Sequence, residues 1–140
     1  MNTDSTKSIY QEIATTINDL IPEKWSKVFL YVEGWEDFST EYFYYYPDDG
    51  GAPLLSYNIP DQFGLDNEEF EDRESELAEL VLSLQDVFKE QGQEPWTNLT
   101  FILNSDGKFN VEYGYEDLRE VNMVEQRDSW KAKYGIETTN

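Results

Sequence analysis

Carboxylates are the reactive groups this sequence holds in quantity. They are densest in LDNEEFEDRESELAEL, residues 65–80, where Asp66, Glu68, Glu69, Glu71, Asp72, Glu74, Glu76 and Glu79 surround a single base, Arg73. Like charges at that density repel one another, so the run needs a reason. A carboxylate near a helix N-terminus is stabilised by ~0.3–1 kcal/mol. That accounts for the first turn and leaves Glu71, Asp72, Glu74, Glu76 and Glu79 unexplained. One reading is a solvated helix face that confers solubility. The other is a surface that imitates phosphate. Carboxylates at i,i+3 and i,i+4 on a helix stand ~5–6 Å apart, close to the phosphate repeat of a DNA strand and slightly shorter. Such a face suits the basic cleft of an enzyme that acts on nucleic acid, and charge steering raises association to ~10⁸–10⁹ M⁻¹s⁻¹ at low salt.

The other chemical candidates are weaker. Glu33, Glu36 and Asp37 beside Trp35 are the least bland carboxylates for acid–base catalysis. With 30 Asp and Glu in the chain, though, some pair must fall at a glycosidase spacing by abundance alone. Asn104-Ser105-Asp106-Gly107 resembles part of a calcium loop, but the pattern needs acids where Ile102 and Tyr113 stand. Asp-Gly between apolar alternations is instead a hairpin turn. The tyrosines of EYFYYYPDD invite a base-stacking reading, yet single-stranded nucleic acid also needs a positive groove. Tyr42, Tyr44 and Tyr46 therefore read as one strand face packed under a helix with hydroxyls at the rim. Asn98-Leu99-Thr100 matches a glycosylation sequon and reads as strand.

Composition narrows the class. There are 30 Asp and Glu against 10 Lys and Arg, a formal charge of −20, which argues against nucleic acid or an anionic membrane as partner and suits a basic protein. Without cysteine or histidine, disulfides, thiolate metal sites and His-based triads are excluded. No metal site and no cofactor are expected. The 16% of aromatic residues is too high for a disordered acidic chain. One folded domain over 1–140 is expected, able to bury roughly 70% of its unfolded surface. MNTDSTKSIYQEIATT lacks the apolar run of a signal peptide, and no stretch approaches a membrane span of ~20 apolar residues, so a cytoplasmic location is expected.

The elements that must position these groups follow from periodicity. Ile9, Ile13, Ile17 and Leu20 give one face of a helix over 5–21, capped by Asp4, Ser5 or Thr6 and followed by Pro22. Residues 26–33 and 38–46 read as strands joined around Gly34, with Val28, Leu30 and Val32 on one side and Phe29 and Tyr31 on the other. A third strand is expected near 53–59. Asp66 is a candidate N-cap for the acidic helix, whose apolar stripe is Leu77, Leu80, Val81, Leu84 and Phe88 and whose end is a left-handed Gly92. Strands over 98–104 and 108–115 flank the Asp106-Gly107 turn. A last helix over about 122–134 offers Val124, Trp130 and Tyr134 as contacts. The order α-β-β-β-α-β-β-α with hairpin-length connections predicts an α+β fold, a mostly antiparallel sheet with helices packed on it.

IYQEIATTINDLIPEKWSKVFLYVE at the front, EPWTNLTFILNSDGKFNVEYGYEDL after the second helix and the late RDSWKAKYG resemble the YezG-like antitoxin family from about Ile9 to Tyr134. The most specific pieces are Trp96-Thr97, Asp106-Gly107-Lys108-Phe109 and Tyr113-Gly114-Tyr115-Glu116-Asp117-Leu118. The resemblance implies a non-enzymatic bacterial immunity protein. Relatives neutralise the C-terminal nuclease domain of toxins, often of the LXG type, secreted by Gram-positive type VII systems. It supplies no catalytic motif and no contact residue. The expected partner is a cognate nuclease toxin domain, a basic protein. On charge density alone the candidate contacts are Glu68, Glu69, Glu71, Asp72, Glu74 and Glu76, with Glu116, Asp117 and Glu120 as a second patch. Inhibition by occlusion of a basic surface and inhibition by binding elsewhere or distorting the toxin both remain open. So do two other classes: an acidic adaptor for a basic protein unrelated to toxins, and a carboxylate hydrolase.

Overall fold

A computed structural model describes residues 3–35 and 38–137. The chain runs α1 (Thr3–Leu20), β1 (Trp25–Gly34), β2 (Ser39–Pro47), β3 (Leu54–Leu55), α2 (Ile59–Phe63), α3 (Asn67–Glu90), β4 (Asn98–Asn104), β5 (Phe109–Gly114) and α4 (Met123–Tyr134). The strands form one sheet in the order β3-β2-β1-β4-β5, antiparallel at every pairing. This is the α+β arrangement the patterning predicts. Because β4 lies on the far side of β1 from β2 and β3, the chain must return across a face of the sheet, and α3 makes that crossing.

Strand alternation divides the sheet into two faces. Val28, Leu30 and Val32 of β1 join Phe43 and Tyr45 of β2 and Leu99, Phe101 and Leu103 of β4 in one buried cluster. Ile13, Ile17 and Leu20 of α1 and Leu77, Val81 and Leu84 of α3 cover it. On the opposite face Phe29, Tyr31, Tyr42 and Tyr44 are buried beneath Trp130 and Ile136, with Tyr46 and Tyr134 packed at their edge. The Tyr42–Tyr44–Tyr46 row thus lies under a helix as expected. The Tyr42 hydroxyl donates to Gln126 Oε1 of α4 at 3.2 Å. Fully burying each large aliphatic side chain stabilises by about 1.5–3 kcal/mol, so the two clusters together dominate the energetics.

Polar contacts give the direction of the two long helices. Asn18, late in α1, accepts from Trp25 Nε1 at the start of β1 at 3.1 Å, and the neighbouring Asp19 pairs with Arg73, early in α3, at 3.9 Å. Tyr10 of α1 lies against Phe101 and Phe109, and Phe88, late in α3, meets Tyr113 of β5. The helices cross the strands antiparallel to each other. α3 reaches the β1–β2 turn, where the Gln85 amide donates to Trp96 O at 2.7 Å and to Gly34 O at 3.4 Å. A Cβ on Gly34 would stand 2.7 Å from that amide nitrogen, so the glycine permits the close approach as well as ending the strand.

Three expectations needed adjustment. α1 begins at Thr3, ahead of the caps assigned to Asp4, Ser5 and Thr6; the side chains of Asp4 and Ser5 lie outside the described residues. The third strand covers Leu54–Leu55 rather than 53–59. It stops because Ser56, fully buried, uses its side-chain oxygen to accept from Phe43 N at 3.1 Å, replacing the next backbone partner. Pro60 then sits in the first turn of α2, where a missing N–H costs nothing. Finally, α4 buries Trp130 and half-buries Tyr134, but Val124 is 61% exposed. Six residues separate Val124 from Trp130, which places them on different sides of a helix, whereas Tyr134 follows Trp130 at i+4.

Candidate functional site

α3 carries the acid run, and its ends are built as the sequence suggests. The Asp66 side chain accepts from Glu68 N at 2.8 Å and Glu69 N at 3.1 Å. Gly92, at φ 71, donates to Lys89 O at 3.1 Å while Gln93 N donates to Phe88 O at 2.9 Å, closing the helix with a Schellman motif. Between these caps Phe70, Leu77, Val81, Leu84 and Gln85 are buried, so the helix has one fixed inner side.

At 3.6 residues per turn the outer side is a ridge of Glu68, Asp72, Glu76, Glu79, Asp86 and Glu90, interrupted by Ser83. Glu69 and Glu71 flank it, and every one of these acids is exposed. The ridge is ~33 Å long from Glu68 to Glu90 at 1.5 Å per residue. Glu79, in the dense run but not among the candidate contacts, belongs to the ridge, and Asp86 and Glu90 extend it beyond the run; the i,i+3/i+4 rule, applied outward from Glu76, finds all three. One-to-one pairing of 30 acids with 10 bases leaves 20 acids unpaired, so most of this charge faces water.

Glu74 is placed differently. It is four residues after Phe70 and three before Leu77, so it falls in the inward stripe and is half-buried. Burial, then the carboxylates of Glu41 and Glu71, push it up to about 7. Burial also raises Glu41, against the hydrogen bond its Oε2 accepts from Ser39 Oγ at 2.7 Å. Glu74 is thus turned away from the ridge toward β2.

Glu116, Asp117 and Glu120 are in a separate region, the connection from β5 to α4. Glu116 Oε1 accepts from Asn98 Nδ2 at 2.5 Å, and Thr97 Oγ1 donates to Glu116 O at 2.7 Å. Asp117 is gripped by Arg119, whose Nη2 lies 2.6 Å from Oδ2. Side-chain hydrogen bonds from Arg119 hold Asp117 down at about 2. Glu120 is exposed. Its neighbours in this connection and in the first turn of α4 include side chains that charge counting passes over: Tyr115, Val121, Met123 and Val124 are 46%, 42%, 61% and 61% exposed. The weak helical periodicity of 122–134 is the signal that could have found Met123 and Val124.

The remaining candidates resolve into structure. Glu33 is buried and accepts from the Tyr31 hydroxyl at 2.8 Å; Glu36 and Asp37 lie outside the described residues. In the Asp-Gly hairpin, Gly107 N donates to Asn104 O at 2.9 Å and Lys108 N to Asp106 Oδ1 at 2.9 Å. Asn98 of the sequon is on β4, bonded to Glu116. Among the described residues no group of three or more Asp, Glu, His or Cys is placed to hold a metal, and no helix is long and apolar enough to cross a membrane.

Comparison with known proteins places these features in a family. The family described as "Immunity protein YezG-like" matches residues 6–137. "Immunity protein YezG" of Bacillus spizizenii is 36% identical over 135 residues, 95% of this chain and 84% of that protein. The protein of the same name from Bacillus subtilis is 30% identical over 91% of this chain and 85% of its own length. "Type VII secretion system protein EsaG" of Staphylococcus aureus is 34% identical over 91% of this chain and 80% of its own length.

Proposed function

This chain belongs to the YezG-like immunity protein family, a non-catalytic antitoxin class, and from that premise we propose a specific target and mode of action. The chain acts in the cytoplasm. It binds the C-terminal nuclease domain of a secreted toxin and covers the basic surface on which that domain holds nucleic acid. The observation that supports this reading most is the outer ridge of α3: six exposed carboxylates in register along one side of a long, rigidly capped helix. A nuclease must present cations to phosphate. A ridge of carboxylates at a similar, slightly shorter spacing competes for those cations and offers no bond to hydrolyse.

The ridge also suits the timing of the task. Charge held in water and far from neutralising partners acts over about a Debye length, ~8–10 Å, and so speeds encounter more than it tightens the final complex. Co-expression with the C-terminal domain of the toxin encoded beside this chain's gene tests the role: cells survive with the chain and die without it. The combined reversal Glu68→Lys, Asp72→Lys and Glu76→Lys tests the mode. These positions are exposed, so the fold stands, and the association rate at low salt falls on the order of ten-fold or more. An unchanged association rate rejects the ridge while leaving the immunity role in place.

A further inference from the structure

We propose that the connection between β5 and α4 together with the first turn of α4, residues 115–125, is the seam on which the toxin is held, and that it takes a segment bearing both apolar and basic side chains. The inference rests on the reading above that the partner is a cationic toxin domain. Scattered exposed apolar residues need no explanation, but here they are grouped around two clefts. Leu118 and Val121 wall a cavity of about 430 Å³ whose floor includes Tyr31, Thr100 and Trp130. On the other side of Leu118, Tyr115 and Trp35 border a second cavity of about 320 Å³. Met123 and Val124 continue the apolar run on the first turn of α4, pointing away from the sheet. Exposed apolar side chains grouped beside clefts and rimmed by polar ones suit an interaction site, and a flexible Met at the end of the run adapts to a partner's shape.

The segment is also held ready. Thr97 and Asn98 fasten Glu116, Val121 N donates to Leu118 O at 3.3 Å, and the Asn122 side chain caps α4 by accepting from Val124 N at 2.9 Å and Glu125 N at 3.1 Å. Ordering a loop on binding costs free energy, and a tethered one avoids much of that.

Charge chooses the occupant. The seam carries Glu116, Asp117, Glu120 and Glu125 against one base, Arg119, which is already occupied by Asp117. Lys133 stands at the far wall of the larger cleft. A purely apolar partner would strip water from these acids without replacing it, which disfavours such a complex. A second copy of the chain would bring the same acids and a further −20 charge. A segment with Lys or Arg beside its apolar side chains satisfies the clefts and their rim together.

The test uses the full chain and the C-terminal domain of the toxin encoded beside its gene. Val121→Ser, Met123→Ser and Val124→Ser are combined, a neutral change at exposed positions that leaves the ridge and the net charge alone. An unaltered melting temperature establishes that the fold is intact. The expected result is a dissociation rate raised on the order of 100-fold with an association rate within a few-fold of the parent. Parent-like dissociation in the folded variant overturns the seam and leaves the immunity reading standing. If the parent chain neither binds the toxin domain nor protects cells from it, that reading falls and the seam falls with it. Sedimentation of the chain alone gives a monomer; a dimer that the triple substitution breaks would reassign the seam to self-association and overturn the proposal.

Discussion

The α3 ridge and the 115–125 seam are both acidic, but they hold their charge in opposite ways. On the ridge the carboxylates are spaced by helix geometry, exposed, and backed by a hydrophobic inner stripe that contributes nothing to the outer surface. On the seam the carboxylates are fewer, one is locked onto Arg119 and another onto Asn98, and apolar side chains stand between them. Exposed charge acts at a distance and fades with salt. Apolar surface acts only at contact and contributes about 25 cal/mol per Å² removed from water. A partner would therefore be drawn by the first region and retained by the second, and the two contributions separate in kinetics.

The largest effect expected from one substitution is at Trp130, which floors the larger cleft of the seam and lies on the opposite face of the sheet from α3. It is buried against Tyr31, Tyr42, Tyr44 and Tyr134, and its Nε1 donates to Thr100 Oγ1 at 2.9 Å. Trp130→Ala removes the main anchor of α4 and part of the floor of the larger cleft. It should lower unfolding free energy by about 3–5 kcal/mol, read as a reduced urea midpoint. Under conditions where the variant is still folded, toxin dissociation should accelerate while association stays near parental, because α3 is on the other face. Equal loss of both rates would break the separation. The ridge reversal is the next largest and the mirror image: slower association, a flatter dependence on salt, and parental dissociation. A seam variant that also flattened the salt dependence would show that the two regions act as one surface.

How far these regions could be read from sequence differs for a physical reason. The ridge was legible because helix periodicity fixes side-chain direction: once Leu77, Val81 and Leu84 point inward, Glu68, Asp72 and Glu76 must point out. The same rule, carried one turn further back to Phe70, places Glu74 inside, and density of charge hid that. The sheet faces were legible by strict alternation in Val28–Val32 and Tyr42–Tyr46. β3 was overextended because a buried Ser56 side chain substitutes for backbone, an interaction between residues 13 apart that local pattern does not carry. The seam was not legible as a surface. Tyr115, Leu118 and Val121 recur every third residue, but in a segment that forms neither helix nor strand, so their grouping depends on Thr97 and Asn98 fastening the loop and on how Trp130 seats α4 on the sheet.

Glu74 gives the smallest and most local prediction, and it sharpens the comparison by testing whether that acid belongs with the ridge. A carboxyl raised to about 7 in the folded chain binds its proton more tightly there than in the unfolded chain, where the ordinary value is 4.5. Between those two values the folded state carries the extra proton, so stability from this group falls as pH rises through about 7 and is restored on acidification. The groups that face it (Glu41 from β2, Glu71 from its own helix and the Tyr57 ring) add either negative charge or burial and none relieves it. Glu74→Gln keeps the shape and abolishes the ionisation. It should stabilise the chain by about 1 kcal/mol near pH 8, a figure reduced for the water that still screens a half-buried side chain, and by nothing measurable near pH 5. Toxin association should be unchanged at either pH, because the side chain points at β2. A fall in association rate comparable to that of the matching neutral change Asp72→Asn on the ridge would return Glu74 to the ridge and make its inward position in the free chain irrelevant to binding.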